Sequence, residues 1–176
     1  MNYKRRISKG FWVWGQFDSV TSADIIKQQQ EINNTLKGPK FDLHLTLSGP
    51  LLDPDDIHKK RLSELSNLFA PVKINLDGVG MTDEFFQSLF LNIKENSNLL
   101  DLKTKIDDVF QLDNKNYFPH ISLYYGNAKK DLKIESVRNI KKTNEVILDK
   151  ISLVSVDETI QSWKVIESFS LFESNQ

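Results

Sequence analysis

An α+β fold is predicted by three features of the sequence: short apolar runs with strand-like alternation, amphipathic helical stretches set between them, and no linker or low-complexity tract dividing the 176 residues. With 39% hydrophobic content the chain can bury one core, and residues 1–176 are read as a single domain. The first strand covers about 11–17, within FWVWGQF. A helix follows in TSADIIKQQQEINNTLKG, with Thr21 or Ser22 as its cap, Ile25, Ile32 and Leu36 on one stripe, and Gly38 as its stop. FDLHLTLSGP, residues 41–50, alternates Leu43, Leu45 and Leu47 with His44, Thr46 and Ser48, which marks a strand with one buried face, ended by Gly49-Pro50. In LDPDDIHKKRLSELSNLFA, Asp53 caps a second helix, Pro54 opens it, and Ile57, Leu62, Leu65, Leu68 and Phe69 form its apolar stripe.

VKINLDGVGMT and EFFQSLFLNI read as two strands joined by a turn near Thr82-Asp83. A third helix runs from Ser97, with Leu99, Leu102, Ile106, Val109 and Phe110 on its buried side. YFPHISLYYG is a strand and AKKDLKIESVRNIKK a charged helix. EVILDKISLVSV and QSWKVIESFSLF close the chain as a hairpin, with Trp163 read as core.

The bulk properties exclude several functions. Lys and Arg number 23 against 24 Asp and Glu, so no broad attraction to a nucleic-acid backbone or an anionic membrane is expected. The absence of cysteine removes disulfides, zinc-thiolate sites and cysteine nucleophiles, and suits a cytoplasmic setting. The apolar stretch Phe11–Trp14 is far shorter than the ~18 residues of a membrane span, so a soluble monomer with no membrane contact and no obligate protein partner is expected.

The chemistry lies in a repeated pattern. Phe41-Asp-Leu-His44-Leu-Thr46-Leu sits against Tyr117-Phe-Pro-His120-Ile-Ser122-Leu, with the histidines 120 − 44 = 76 positions apart. On a strand the hydroxyl at i+2 shares the face of its histidine. Hydrolysis of a phosphate ester without a metal needs one group to take a proton from water and another to protonate the leaving oxygen, and imidazole, with a pKa of about 6.5, suits both tasks. Thr46 and Ser122 would donate hydrogen bonds to the phosphoryl oxygens if the two strands lie side by side. The residues leave the base and acid open, with His120 preferred as the activator of water. His58, on the charged helix, lacks the pattern and is read as a solvated surface residue.

Other chemistries fit less well. The chain has no P-loop, His-Glu-x-x-His or Gly-x-Ser-x-Gly motif. A metal on His44 and His120 with Asp42 or Asp53 lacks a clear third ligand, so neither metal nor cofactor is expected. Ser122 as a nucleophile activated by His120 is disfavoured because i and i+2 on a strand sit ~7 Å apart.

HLTL and HISL resemble the paired signature of the two-histidine (2H) phosphoesterase superfamily. FWVWGQF, GPKFDLHLTLSG, FFQSLFL, YFPHISLYYG and QSWKVI follow in the order of its plant-type cyclic phosphodiesterase branch. The resemblance implies a bilobal fold, two antiparallel sheets related by a pseudo-twofold with helices outside, and a central cleft holding both motifs. It implies metal-independent opening of ADP-ribose 1″,2″-cyclic phosphate or a nucleoside 2′,3′-cyclic phosphate, with His44 and His120 as the catalytic pair and Thr46 and Ser122 on the phosphate. It also places Tyr125 on the phosphate, whereas strict alternation aims Tyr124 into the cleft unless Gly126 bends the strand end. The resemblance thus implies a small cyclic nucleotide as substrate. A short RNA end or a cyclic oligonucleotide at the same site, or a non-catalytic nucleotide- or RNA-binding module, are the alternatives.

Trp12 and Phe85 are the candidates for stacking on a base. Trp12 shares a strand face with Trp14, and Phe85 with Gln87, so at most one aromatic of each adjacent pair should meet ligand. Lys40 and Lys115, near the two motifs, are candidates for added phosphate attraction.

Overall fold

Alternation along the apolar runs divides their side chains between two faces, and the leucine-rich face is where the helices pack. The computed structural model describes residues 9–113, 116–138 and 140–172. Its elements are β1 (Gly10–Phe17), α1 (Ala23–Leu36), β2 (Leu45–Leu51), α2 (Asp56–Ser66), β3 (Val72–Met81), β4 (Leu89–Ile93), α3 (Ser97–Phe110), β5 (His120–Tyr124), α4 (Lys130–Val137), β6 (Glu145–Val156) and β7 (Lys164–Ser170). Val13, Leu45, Leu47, Leu91, Ile121 and Leu123 from the strands meet Ile25, Ile32, Leu62, Leu99, Leu102 and Ile106 from the helices in one apolar cluster.

The α+β expectation holds, with one change in the sheets. Where the resemblance implies two antiparallel sheets, hydrogen bonding joins all seven strands in the order β1-β2-β5-β4-β3-β6-β7, every pair antiparallel. β1 also pairs with β6, so six of the strands close into a ring. β2 meets β5 through one ladder pair, Leu45 opposite Ile121. Beyond that pair the two strands diverge, and α3 packs on β2.

Several boundaries move for local reasons. α2 begins after Asp55, not Asp53, because Asp55 accepts from the His58 amide at 3.0 Å while His58 Nδ1 accepts from the Asp55 amide at 3.3 Å. His58 is therefore a helix cap, half-buried with its ring stacked on Phe110 at 4.9 Å, rather than a solvated residue. Ile57 and Leu68 fall off the buried stripe and are exposed. β2 continues through Gly49-Pro50 to Leu51. Residues 85–87 are a single 3-10 turn and not a strand, so Phe85 and Gln87 do not alternate. The charged helix shortens to α4, while the closing hairpin of β6 and β7 is as expected.

Leu45 and Ile121 are fully buried at the junction of β2 with β5. Leu45→Ala is expected to lower unfolding free energy by about 2–5 kcal/mol in urea denaturation, at the upper part of that range if the junction cannot collapse around the cavity.

Candidate active site

The same ladder pair sets the site. Leu45 and Ile121 point into the core, so their neighbours point the other way, and the antiparallel register sets His44 beside Ser122 and Thr46 beside His120. All four line a cleft of about 1250 Å³. The two copies of the motif are brought together on one surface.

Both imidazoles are held alike. His44 Nδ1 lies 2.7 Å from the carbonyl of Asp42, and His120 Nδ1 lies 3.0 Å from that of Phe118, in each case two residues back. A carbonyl only accepts, so Nδ1 carries a hydrogen in both rings and Nε2 is the nitrogen that gains and loses a proton. Burial pushes His44 down to about 4 from its ordinary 6.5; the Asp42 carbonyl opposes this, and the repulsion of a charged His120 adds to it. Burial also lowers His120, against the favourable Phe118 carbonyl.

Aromatic side chains supply that burial. The Trp14 ring lies flat on His44 at 3.7 Å and 10°, with Phe41 edge-on at 6.3 Å, leaving His44 5% exposed. Phe41 stacks on Tyr125 at 4.0 Å, and Phe86, Trp163 and Tyr125 contact one another. Trp163, read as core, is half-buried: it packs on the small cluster of Trp14, Val154 and Val156 and also walls the cleft, where the 3-10 turn Ile160–Ser162 ahead of it and a bond from its Nε1 to the Asp157 carbonyl, 2.9 Å, direct the indole. On the other side Phe118 and Phe90 flank His120 at 5.3 and 5.2 Å.

Tyr125 reaches the cleft against strict alternation, and the cause is visible in the register. Phe90 pairs with Ser122 but Leu89 with Tyr124, so β5 carries one extra residue, Leu123. That bulge reverses the phase of the residues beyond it. Tyr124 turns to the apolar core, its ring over Gly38 where a Cβ would collide, and Tyr125 faces the cleft. Burial raises the Tyr125 phenol to about 12, partly offset by a hydrogen bond with Ser122, so it stays a donor at neutral pH.

Trp12 and Phe85 both line the cleft. Gly49, with φ of 141°, leaves room for the Trp12 ring, which a Cβ there would strike. The indole Nε1 of Trp12 is buried without a partner among the described residues. Lys40 is exposed and does not line the cleft; Lys115 lies outside the described residues. Ser48, third on the polar face of β2, donates to Asp107 at 2.5 Å, and Asp107 pairs with buried Lys103. Tyr117, which the sequence did not single out, donates to the Thr46 carbonyl at 3.1 Å and so ties the second motif to the first. Among the described residues no three His, Asp or Glu side chains gather as a metal site. No helix among them is long and apolar enough to cross a membrane.

A histidine buried in its neutral form takes up fewer protons when folded than when unfolded, between its unfolded pKa near 6.5 and its folded value of about 4. The stability it confers is therefore complete above about pH 6.5 and is lost as pH falls through that window. Urea titrations of wild type and His44→Gln should show a steeper acid loss in wild type, the two diverging by about 3 kcal/mol at pH 4; parallel curves would contradict the burial.

Comparison with curated proteins finds no match. Solved structures do match in fold. TT0787 of Thermus thermophilus is 17% identical with a TM-score of 0.65, covering 94% of this chain and 99% of that one. E. coli LigT complexed with 3′-AMP is 14% identical with a TM-score of 0.63 over 94% and 99%. A protein described as a phosphoesterase gives 15% and 0.63 over the same shares. The profile of cyclic phosphodiesterase-like proteins matches residues 18–176, and with both halves of the His-x-Thr/Ser pattern on one cleft the chain belongs to this family of 2H phosphoesterases.

Proposed function

We propose that the chain opens a cyclic phosphodiester, a nucleoside 2′,3′-cyclic phosphate or ADP-ribose 1″,2″-cyclic phosphate, to a phosphomonoester without a metal ion. The observation that carries this reading is the crossed placement of His44 beside Ser122 and Thr46 beside His120, each imidazole anchored at Nδ1. A phosphoryl group between them would have a nitrogen on either side for the in-line attack and departure, and a hydroxyl on either side for its non-bridging oxygens.

The electrostatics favour roles opposite to the preference drawn from the sequence. His44, with its pKa pushed down to about 4, is neutral at working pH and takes the proton from water through Nε2. His120, protonated, returns one to the ester oxygen that leaves. The P–O bond to the incoming water oxygen forms as the bond to one ribose oxygen breaks. Thr46, Ser122 and the Tyr125 phenol donate to the negative charge that grows on phosphorus-bound oxygen. Trp12 and Phe85 offer faces for a base, and the complex of LigT with 3′-AMP is the reason to try nucleoside phosphates first.

Turnover of a panel of cyclic phosphates, including a dinucleotide with a cyclic end, tests the reading. His44→Ala and His120→Ala are each expected to lower kcat by about 10²–10⁴ with circular dichroism unchanged, and wild type to keep its rate in EDTA. Near-wild-type rates in either variant, or a strict need for a divalent ion, would reject it.

The pH dependence follows from the two shifts. With His44 as base, kcat/KM rises as pH climbs through about 4; with His120 as acid, it falls as pH climbs through a value below 6.5. The kcat/KM optimum is therefore expected on the acid side of 6.5, and an optimum above pH 7 would overturn the assignment of roles.

A further inference from the structure

Lys133 presents an unexplained charge. It stands on α4, 2% exposed, and its Nζ donates to the Thr82 carbonyl at 2.7 Å, the Ser88 carbonyl at 3.4 Å and the Ser88 hydroxyl at 3.5 Å. All three acceptors are neutral, and no carboxylate pairs with it among the described residues. A lysine is seldom fully buried without an anion, because its desolvation is repaid only by an opposite charge. A neutral donor such as glutamine could hold the same carbonyls at far lower cost.

The anion is missing from the protein but not from the proposed reaction. Lys133 lines the same cleft as the two histidines. The other lysine of the lining, Lys103, is neutralised by Asp107, and both imidazoles are disfavoured as cations by burial. Asp83 and Glu84 line the cleft too, but are exposed, where water screens them; the buried cation is screened far less. Among the described residues Lys133 is thus the one lysine of the lining without a counter-charge.

We propose that Lys133 is the cleft's built-in counter-ion for an anionic phosphoester: its charge acts on the bound phosphate through the low-dielectric wall, while its bonds to Thr82 and Ser88 hold both ends of the segment that carries Phe85 and Phe86. This rests on the phosphoester reading above. It makes Lys133 a residue that attracts and holds substrate without touching the reacting atoms.

Calorimetric titration with inorganic phosphate, alongside steady-state kinetics on a cyclic nucleotide, tests it in Lys133→Gln, Lys133→Met and Lys133→Arg. Gln is expected to weaken phosphate binding and raise KM by about tenfold with kcat changed little, and Arg to stay within about threefold of wild type. Gln, which keeps a donor for the Thr82 and Ser88 carbonyls, should show a urea midpoint equal to or above wild type, and Met should match Gln in binding. Unchanged phosphate affinity in Gln and Met, or losses that appear only with a lowered urea midpoint, would overturn the proposal and mark Lys133 as a structural tether. A wild-type chain that binds phosphate in a Lys133-dependent way but turns over no cyclic phosphate would sink the catalytic reading and leave this one standing; no phosphate binding in wild type would sink this one.

Discussion

One pair of residues, Leu45 opposite Ile121, carries the connection between the two copies of the motif. Their side chains are fully buried in the common core, and their backbones form the whole ladder between β2 and β5. Because a strand turns successive residues to opposite faces, fixing those two inward fixes His44, Thr46, His120 and Ser122 outward. A slip of one residue in this register would send the imidazole and hydroxyl of one motif into the apolar side. The short ladder has a second consequence: β2 and β5 part immediately beyond it, and the opening becomes the cleft. Tyr117, bonded to the Thr46 carbonyl, and the Ser48–Asp107–Lys103 cluster occupy the region where the strands separate.

Burial is the second constraint. The stack of Trp14 on His44 removes water from one imidazole, and Phe118 and Phe90 do the same in lesser measure for the other. Desolvation disfavours a charged ring, so the apolar walls that could take a base also set the resting protonation of the pair. A neutral His44 avoids placing two cations side by side when His120 carries the proton proposed for it. The same desolvation makes a single buried charge far-reaching, and on this rests the proposal that the ammonium on α4 acts on a phosphate between the two strands.

Much of the site was legible in advance. Two histidines with hydroxyls at i+2 in alternating runs point to a two-sided proton-transfer site, and the leucines between them point to the buried face; both inferences need only the period of a strand. The order of helices and strands was legible for the same reason, from stripes such as Leu99, Leu102 and Ile106. Limits appear wherever a local rule is broken from a distance. Asp53 and Pro54 look like a helix start, but the reciprocal bonds of Asp55 and His58 win. Phe85 looks like strand, but its segment turns under the bonds of Lys133 and Thr82. Trp163 is apolar and sits before a strand, yet its backbone turn sends it to the cleft.

The chemistry available, and the face on which each motif presents it, were set by the amino-acid order alone, because side-chain type and strand period are local properties. Adjacency, phase and field were decided by the tertiary structure. The neighbouring of His44 and His120 depends on a pairing across 76 residues, 120 − 44, that no local pattern encodes. The choice of Tyr125 over Tyr124 depends on the bulge at Leu123, which exists only relative to β4. The lowered pKa of His44 and the unpaired charge of Lys133 depend on which elements close over them, since burial is a property of the assembled chain and not of any one residue.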